Sequence, residues 1–178
     1  MANYRAPLAD MKFLLRDVFK AETLFARMPE TSEVTEDLVN AIIEEAGKIA
    51  DNLLAPINQS GDEVGCRYDD GVVTTPEGFK QAYKAYAEGG WSGLTGDVAY
   101  GGQGMPKVLS ALIEEMYFAA NSSFALYTIL NTGATLTLSY HASEELKQRY
   151  LPKMYGGSWS GTMCLTEPHA GTDLGMIR

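Results

Sequence analysis

The sequence is short of the groups that staple small folds or build metal sites. Its two cysteines, Cys66 and Cys164, stand far apart with no CxxC or Cys/His cluster. That usage suggests neither a disulfide framework nor a zinc site, and fits a reducing cytoplasm. Long apolar runs are missing from the N-terminus, where charges interrupt MANYRAPLADMKFLLRDVF, so a secretory signal is not expected. Basic excess is missing too: 14 Lys and Arg face 23 Asp and Glu, a formal net charge of −9, with the acids spread along the chain. Such a balance speaks against nucleic acid or anionic lipid as a partner. From Phe118 to Ser143 there is no charged residue, yet Asn121, Ser122, Asn131, Thr132, Gly133 and Thr135 break the apolarity. The expectation is a helix buried in protein, not a membrane span.

What is present is a globular composition over 178 residues, enough chain to bury one sizeable core. Pro7 and the spacing of Leu8, Met11, Leu14, Leu15 and Val18 predict a first amphipathic helix, with a break at Met28-Pro29. Thr35 is a plausible N-cap for a second, whose inward stripe runs Leu38, Val39, Ile42, Ile43, Ala46, Ile49, Ala50, Leu53 and Leu54 and which Pro56 is expected to end. Ile57 to Thr74 reads as loop, with a short extended piece at Gly71 to Thr74. Thr75 and Pro76 are expected to start another helix, with Phe79, Ala82, Tyr83 and Tyr86 inward and Gly89-Gly90 closing it. Further helices follow from Pro106, after Asn121, and from a Ser143 cap to just before Pro152. Ser158 to Thr166 alternates like a strand. The predicted class is therefore mainly α, with the chain stopping just inside a β region.

Three stretches invite a chemical reading. AYGGQGMP, Ala99 to Pro106, lacks the Lys-Ser/Thr of a P-loop and any clear preceding strand, so a tight turn between helices is the expectation. MCLTEPHAGTD, Met163 to Asp173, places hydroxyls, a stiffening proline and Gly171 where a strand becomes a turn, which presents backbone N–H groups to a ligand. Glu167 and His169 lie in that turn, but neighbouring side chains of an extended turn diverge, and no third group orients the imidazole. His169 is expected to be solvated, and His141 to be a helix-terminal histidine favoured by the helix dipole. No catalytic residue and no metal site is assigned.

The order of YGGQG, SEELKQRYLPKMYGGSWSG and MCLTEPHAGTD resembles the N-terminal portion of the acyl-CoA dehydrogenase family, over roughly Thr35 to the end of the chain. The leading APLADMKFLLRDVF resembles the extension of a bacterial 3-methylmercaptopropionyl-CoA dehydrogenase-like subgroup. The resemblance implies an N-terminal extension over 1–34, a helical domain over 35–157 and the truncated start of a middle β domain over 158–178. It implies FAD as cofactor: the Thr166 backbone and hydroxyl would bond the isoalloxazine ring and Leu165 would lie against it. The Thr172 hydroxyl would sit near the cofactor diphosphate and the acyl-CoA. Donors fixed there suit charge developing on the ring. Thr172 stands where the family has serine, keeping the hydroxyl, and His169 stands where glycine is common. The family's catalytic glutamate would lie beyond Arg178, so the chain alone is expected to be inactive. Leu126, Ile129 and Leu130 align with residues near the acyl tail, although core packing is the favoured expectation for them. Electron-transfer flavoprotein as acceptor and a homo-oligomer when full length are implied as well. A non-enzymatic helical interaction module and an acyl-CoA oxidase fragment are the alternatives.

Overall fold

The computed structural model describes residues 4–177; Arg178 and the first three residues, at the outer edges of the 1–34 and 158–178 segments, lie outside the described residues. Helix α1, Leu8–Phe13, widens into a π turn at Leu14–Val18 and is followed by α2, Ala21–Phe25. Met11 and Leu15 are buried, whereas Leu14 and Val18, expected on the same inward stripe, are exposed. A π turn holds more residues than an α turn and carries them off the buried line. The predicted break appears at Met28, which is extended ahead of a 3₁₀ turn at Pro29–Thr31.

Helix α3, Glu36–Ile49, starts as expected: the Thr35 hydroxyl accepts the Leu38 N–H at 3.3 Å. Glu36 and Asp37 sit in its first turn and Lys48 in its last, the placement its dipole favours. Pro56 does not end the helical run. A π turn at Ala50–Leu54 has the Ala55 N–H reach the Ala50 carbonyl, five residues back, and α4, Ala55–Val64, continues with Pro56 in its first turn. There the absent proline N–H removes no required bond. The stretch expected to be loop thus contains α4 and a hairpin, β1 Arg67–Asp69 against β2 Val72–Thr74, paired Arg67↔Thr74, Tyr68↔Val73 and Asp69↔Val72. Asp70 and Gly71 form its turn with positive φ, 40° and 83°.

Helix α5, Phe79–Glu88, begins later than predicted, behind a left-handed Gly78, and Thr75 does not cap it. The Thr75 hydroxyl is buried without a partner among the described residues. Ala82 and Tyr86 are buried and Gly89-Gly90 closes the helix, as the pattern predicts. Helices α6, Lys107–Ala120, and α7, Ser122–His141, pack side by side, with the Asn121 side chain accepting the Phe124 N–H at 3.1 Å. Helix α8, Glu144–Tyr155, is capped by Ser143 and runs through Pro152 instead of stopping before it. Burial of Leu151, Met154 and Tyr155 offsets the bond the proline omits.

Ser158 to Thr166 forms no strand. It is irregular, and only an isolated bridge between Glu167 and Ala170 follows it. Alternation gives a strand only when a neighbouring strand takes its backbone groups, and among the described residues none lies alongside. The architecture is accordingly helical with one small hairpin. Ile43, Leu54, Leu109, Met116 and Leu151 are almost completely buried, and Met11, Leu15, Ala21, Phe25 and Val34 of the leading segment join the same core.

Candidate functional site

Ala99 to Pro106 folds back on the residues that precede it. The N–H groups of Gly102, Gln103, Gly104 and Met105 donate to the carbonyls of Asp97, Gly93, Gly96 and Leu94, each at 2.9 Å. These amides are spent inside the loop, so it offers no phosphate cradle and is the tight connection the sequence suggests. Tyr155 braces it: its hydroxyl accepts the Asp97 N–H at 3.4 Å and pairs with Ser139 at 3.0 Å.

Between this loop, α6 and α7 opens a cleft of about 990 Å³, as large as the pockets that take small organic ligands. Tyr86, Glu114 and Tyr117 line one side and Thr128, Ile129, Thr132 and Thr135 the other. Burial holds the Tyr86 phenol up at about 12, puts Tyr117 well above its ordinary range and pushes the half-buried Glu114 carboxyl up. The Thr128 and Thr135 hydroxyls donate back to the Ala125 and Thr132 carbonyls, both at 3.0 Å. The wall is therefore mixed apolar and weakly polar, with the Tyr117 and Ser92 hydroxyls unpartnered among the described residues. Such a surface suits an uncharged chain better than an ion. Glu114 was not singled out from the sequence, and Tyr117 only as a member of the stripe Leu109, Leu112, Ile113, Met116 and Tyr117 at helical spacing. The signal for Glu114 was there, since it directly follows buried Ile113.

The expectation of core packing for Leu126, Ile129 and Leu130 is not met. Leu126 is 57% exposed and Leu130 37%, while Ile129 lines the cleft. An uncharged helix has apolar residues on every side, so periodicity does not say which side is covered.

On another side of α7 runs the chain that leaves α8. The Asn131 Oδ1 accepts the Gly161 N–H at 3.0 Å, and the Tyr127 hydroxyl meets Ser160 at 3.0 Å. Beyond Gly161 the chain is exposed from Thr162 to His169 and turns tightly: the Glu167 N–H donates to the Ala170 carbonyl at 2.8 Å and the return bond is 3.2 Å. The turn sets Thr166 and Thr172 on its two arms, both exposed, with Leu165 44% exposed. Glu167 and His169 are exposed, and their side chains make no acid–base pair. One exposed apolar side chain and two exposed hydroxyls on a single turn are groups able to meet a ligand with an apolar face and polar edges. Among the described residues no group of His, Cys, Asp or Glu is placed to hold a metal ion, and no helix is long and apolar enough to cross a membrane.

The model of the acyl-CoA dehydrogenase N-terminal domain matches residues 35–158. The 3-methylmercaptopropionyl-CoA dehydrogenase of Ruegeria pomeroyi is 38% identical over 99% of this chain and 30% of its own length. A butyryl-CoA dehydrogenase of Syntrophomonas wolfei is 36% identical over 98% of the chain and 29% of its own length. This chain thus spans about 30% of the relatives it matches. A solved structure from work on the electron-transferring flavoprotein of Acidaminococcus fermentans and flavin-based electron bifurcation superposes with a TM-score of 0.61. That match has 24% identity and covers 79% of this chain and 34% of that one, a likeness of fold.

Proposed function

We propose, from the premise that this chain belongs to the acyl-CoA dehydrogenase family, that it is the N-terminal part of a flavoenzyme oxidising acyl-CoA thioesters to 2,3-enoyl-CoA. The observation that carries this reading is the exposed turn closed by Glu167 and Ala170, with Leu165 and Thr166 on the arm before it and Thr172 on the arm after it. Leu165 and Thr166 would hold the ring of FAD, and Thr172 the cofactor and the acyl-CoA. Bound FAD would supply a two-electron acceptor for the hydride leaving the β-carbon.

The work of the chain itself is to bind, orient and shield. Hydroxyls on a turn closed by two backbone bonds lose little freedom when they engage a ligand, so their interaction is preorganised. The cleft beside α7 would keep water from an uncharged acyl group. Abstraction of the α-proton is assigned to no residue here. Glu167 points into solvent and belongs to the turn, so the base is sought in the remaining length that relatives possess. Electron-transfer flavoprotein as the acceptor and a homo-oligomeric assembly belong to the same proposal.

Thr166→Val, made in the natural gene product that carries this chain, tests it. Valine keeps the shape and removes the hydroxyl. FAD affinity measured by fluorescence titration is expected to fall by roughly fivefold to tenfold, the factor one lost hydrogen bond gives. An unchanged dissociation constant would remove Thr166 from the flavin site.

A further inference from the structure

Asn131 sits in the middle of α7 with 6% of its surface exposed. Both ends of its amide are used across one bend of the chain. Its Nδ2 donates to the Met154 carbonyl at 3.3 Å, in the last turn of α8, and its Oδ1 accepts the Gly161 N–H at 3.0 Å. The two partners fix the orientation of the amide, because a flipped group would set donor against donor. One side chain therefore joins the end of α8 to the start of the exposed segment.

Two further contacts hold the bend beside that bond. A Cβ on Gly161 would stand 2.3 Å from the Ala134 Cβ, so the backbone is pressed on α7 there. The Tyr83 hydroxyl donates to the Gly157 carbonyl at 2.8 Å, which holds the bend from the far side. From Thr162 to His169 every residue is exposed, so Asn131 is the last buried polar anchor before the turn. Its neighbours Thr128, Thr132 and Thr135 line the cleft from the same helix.

We infer that Asn131 is a positioning residue for the Leu165–Thr172 turn, fixing the spacing between that turn and the cleft wall by tying Gly161 to α7. It touches neither cofactor nor substrate and acts through the Gly161 backbone. The functional half of this inference rests on the reading that the turn meets the flavin. The anchoring half rests on the hydrogen bonds alone.

The test uses the natural gene product and its Asn131→Leu variant, which keeps the number and branching of the side-chain heavy atoms, is bulkier, and loses both bonds. Three quantities are read: amide hydrogen exchange over residues 160–166, FAD affinity, and the melting temperature. Asn131→Leu is expected to speed exchange in that segment by about tenfold, the factor for one ordinary hydrogen bond, and to weaken FAD binding by a similar factor. Gly161→Ala, which lifts the same backbone from Ala134 while leaving Asn131 in place, is expected to do both as well. It keeps the test open should the leucine variant fail to fold. Unchanged exchange in a folded Asn131→Leu protein would overturn the inference. Faster exchange with unchanged FAD affinity would leave the anchor standing and overturn its positioning role, while Thr166→Val decides separately whether the turn meets the flavin. A fall in melting temperature with both local readouts unmoved would make Asn131 a core residue only, and would also overturn it.

Discussion

Gly102→Ala is expected to destabilise the protein by about 3 kcal/mol or more, the upper range for forcing atoms into filled space. A Cβ at Gly102 would lie 2.2 Å from the Gly96 carbonyl carbon and 2.3 Å from its oxygen. Both are backbone atoms, so no rotamer change relieves the contact. The loop must open, and the bonds that Gly102, Gln103, Gly104 and Met105 make to residues 93–97 are strained together. For a chain of this size a loss of that order lowers the melting temperature by roughly 6–12 °C. The contrast is Gly101→Ala, whose Cβ meets nothing within 4 Å and whose cost is only that of a positive φ of 88°. Thermal melts of the two variants separate packing from backbone conformation, and equal losses would contradict this account of the loop.

Ile43→Ala is expected to cost about 2–5 kcal/mol, the range for emptying a fully buried aliphatic site. Ile43 is 0% exposed where α3 enters the core, whereas Leu38 on the same helix is 40% exposed. Leu38→Ala should therefore cost under about 1 kcal/mol. Chemical denaturation of both variants checks the pair. Similar losses would mean that α3 is packed by a different face.

That pair also shows how far the sequence could be read. Spacing placed Leu38 and Ile43 on one stripe, and the stripe exists, but a stripe is wider than the neighbour it meets, so its edge stays wet. Two caps were legible because they depend on residues close in the chain: Thr35 and Ser143 do what their side chains predict, whereas Thr75 does not cap α5, which starts behind a left-handed Gly78. Pro56 and Pro152 misled, unlike Pro29 and Pro106, because the effect of a proline depends on what the backbone around it does. The π turn at Ala50–Leu54 lets Pro56 open α4, and the burial of Met154 and Tyr155 carries α8 past Pro152. The strand expected at Ser158 to Thr166 needed a neighbouring strand, and among the described residues none lies beside it.

At the site, the turn was legible as a turn because Pro168 is a local signal; Gly171 lies just past it, without a positive φ and with nothing within 4 Å of an added Cβ. Its anchoring was not, since Asn131 and Gly161 are far apart in sequence and only the packing of α7 brings them together. The cleft was equally hidden: Glu114 and Tyr117 come from α6, Thr132 from α7, and the loop that borders them precedes α6.

The central claim is that this chain forms one side of a flavin site that oxidises acyl-CoA, and anaerobic titration of the flavin-loaded natural gene product with butyryl-CoA and 3-methylmercaptopropionyl-CoA tests it most directly. Loss of the oxidised flavin's visible absorbance on adding at least one of these thioesters is the predicted result. A purified, folded protein that takes up no flavin, or whose bound flavin stays oxidised with both, would contradict it.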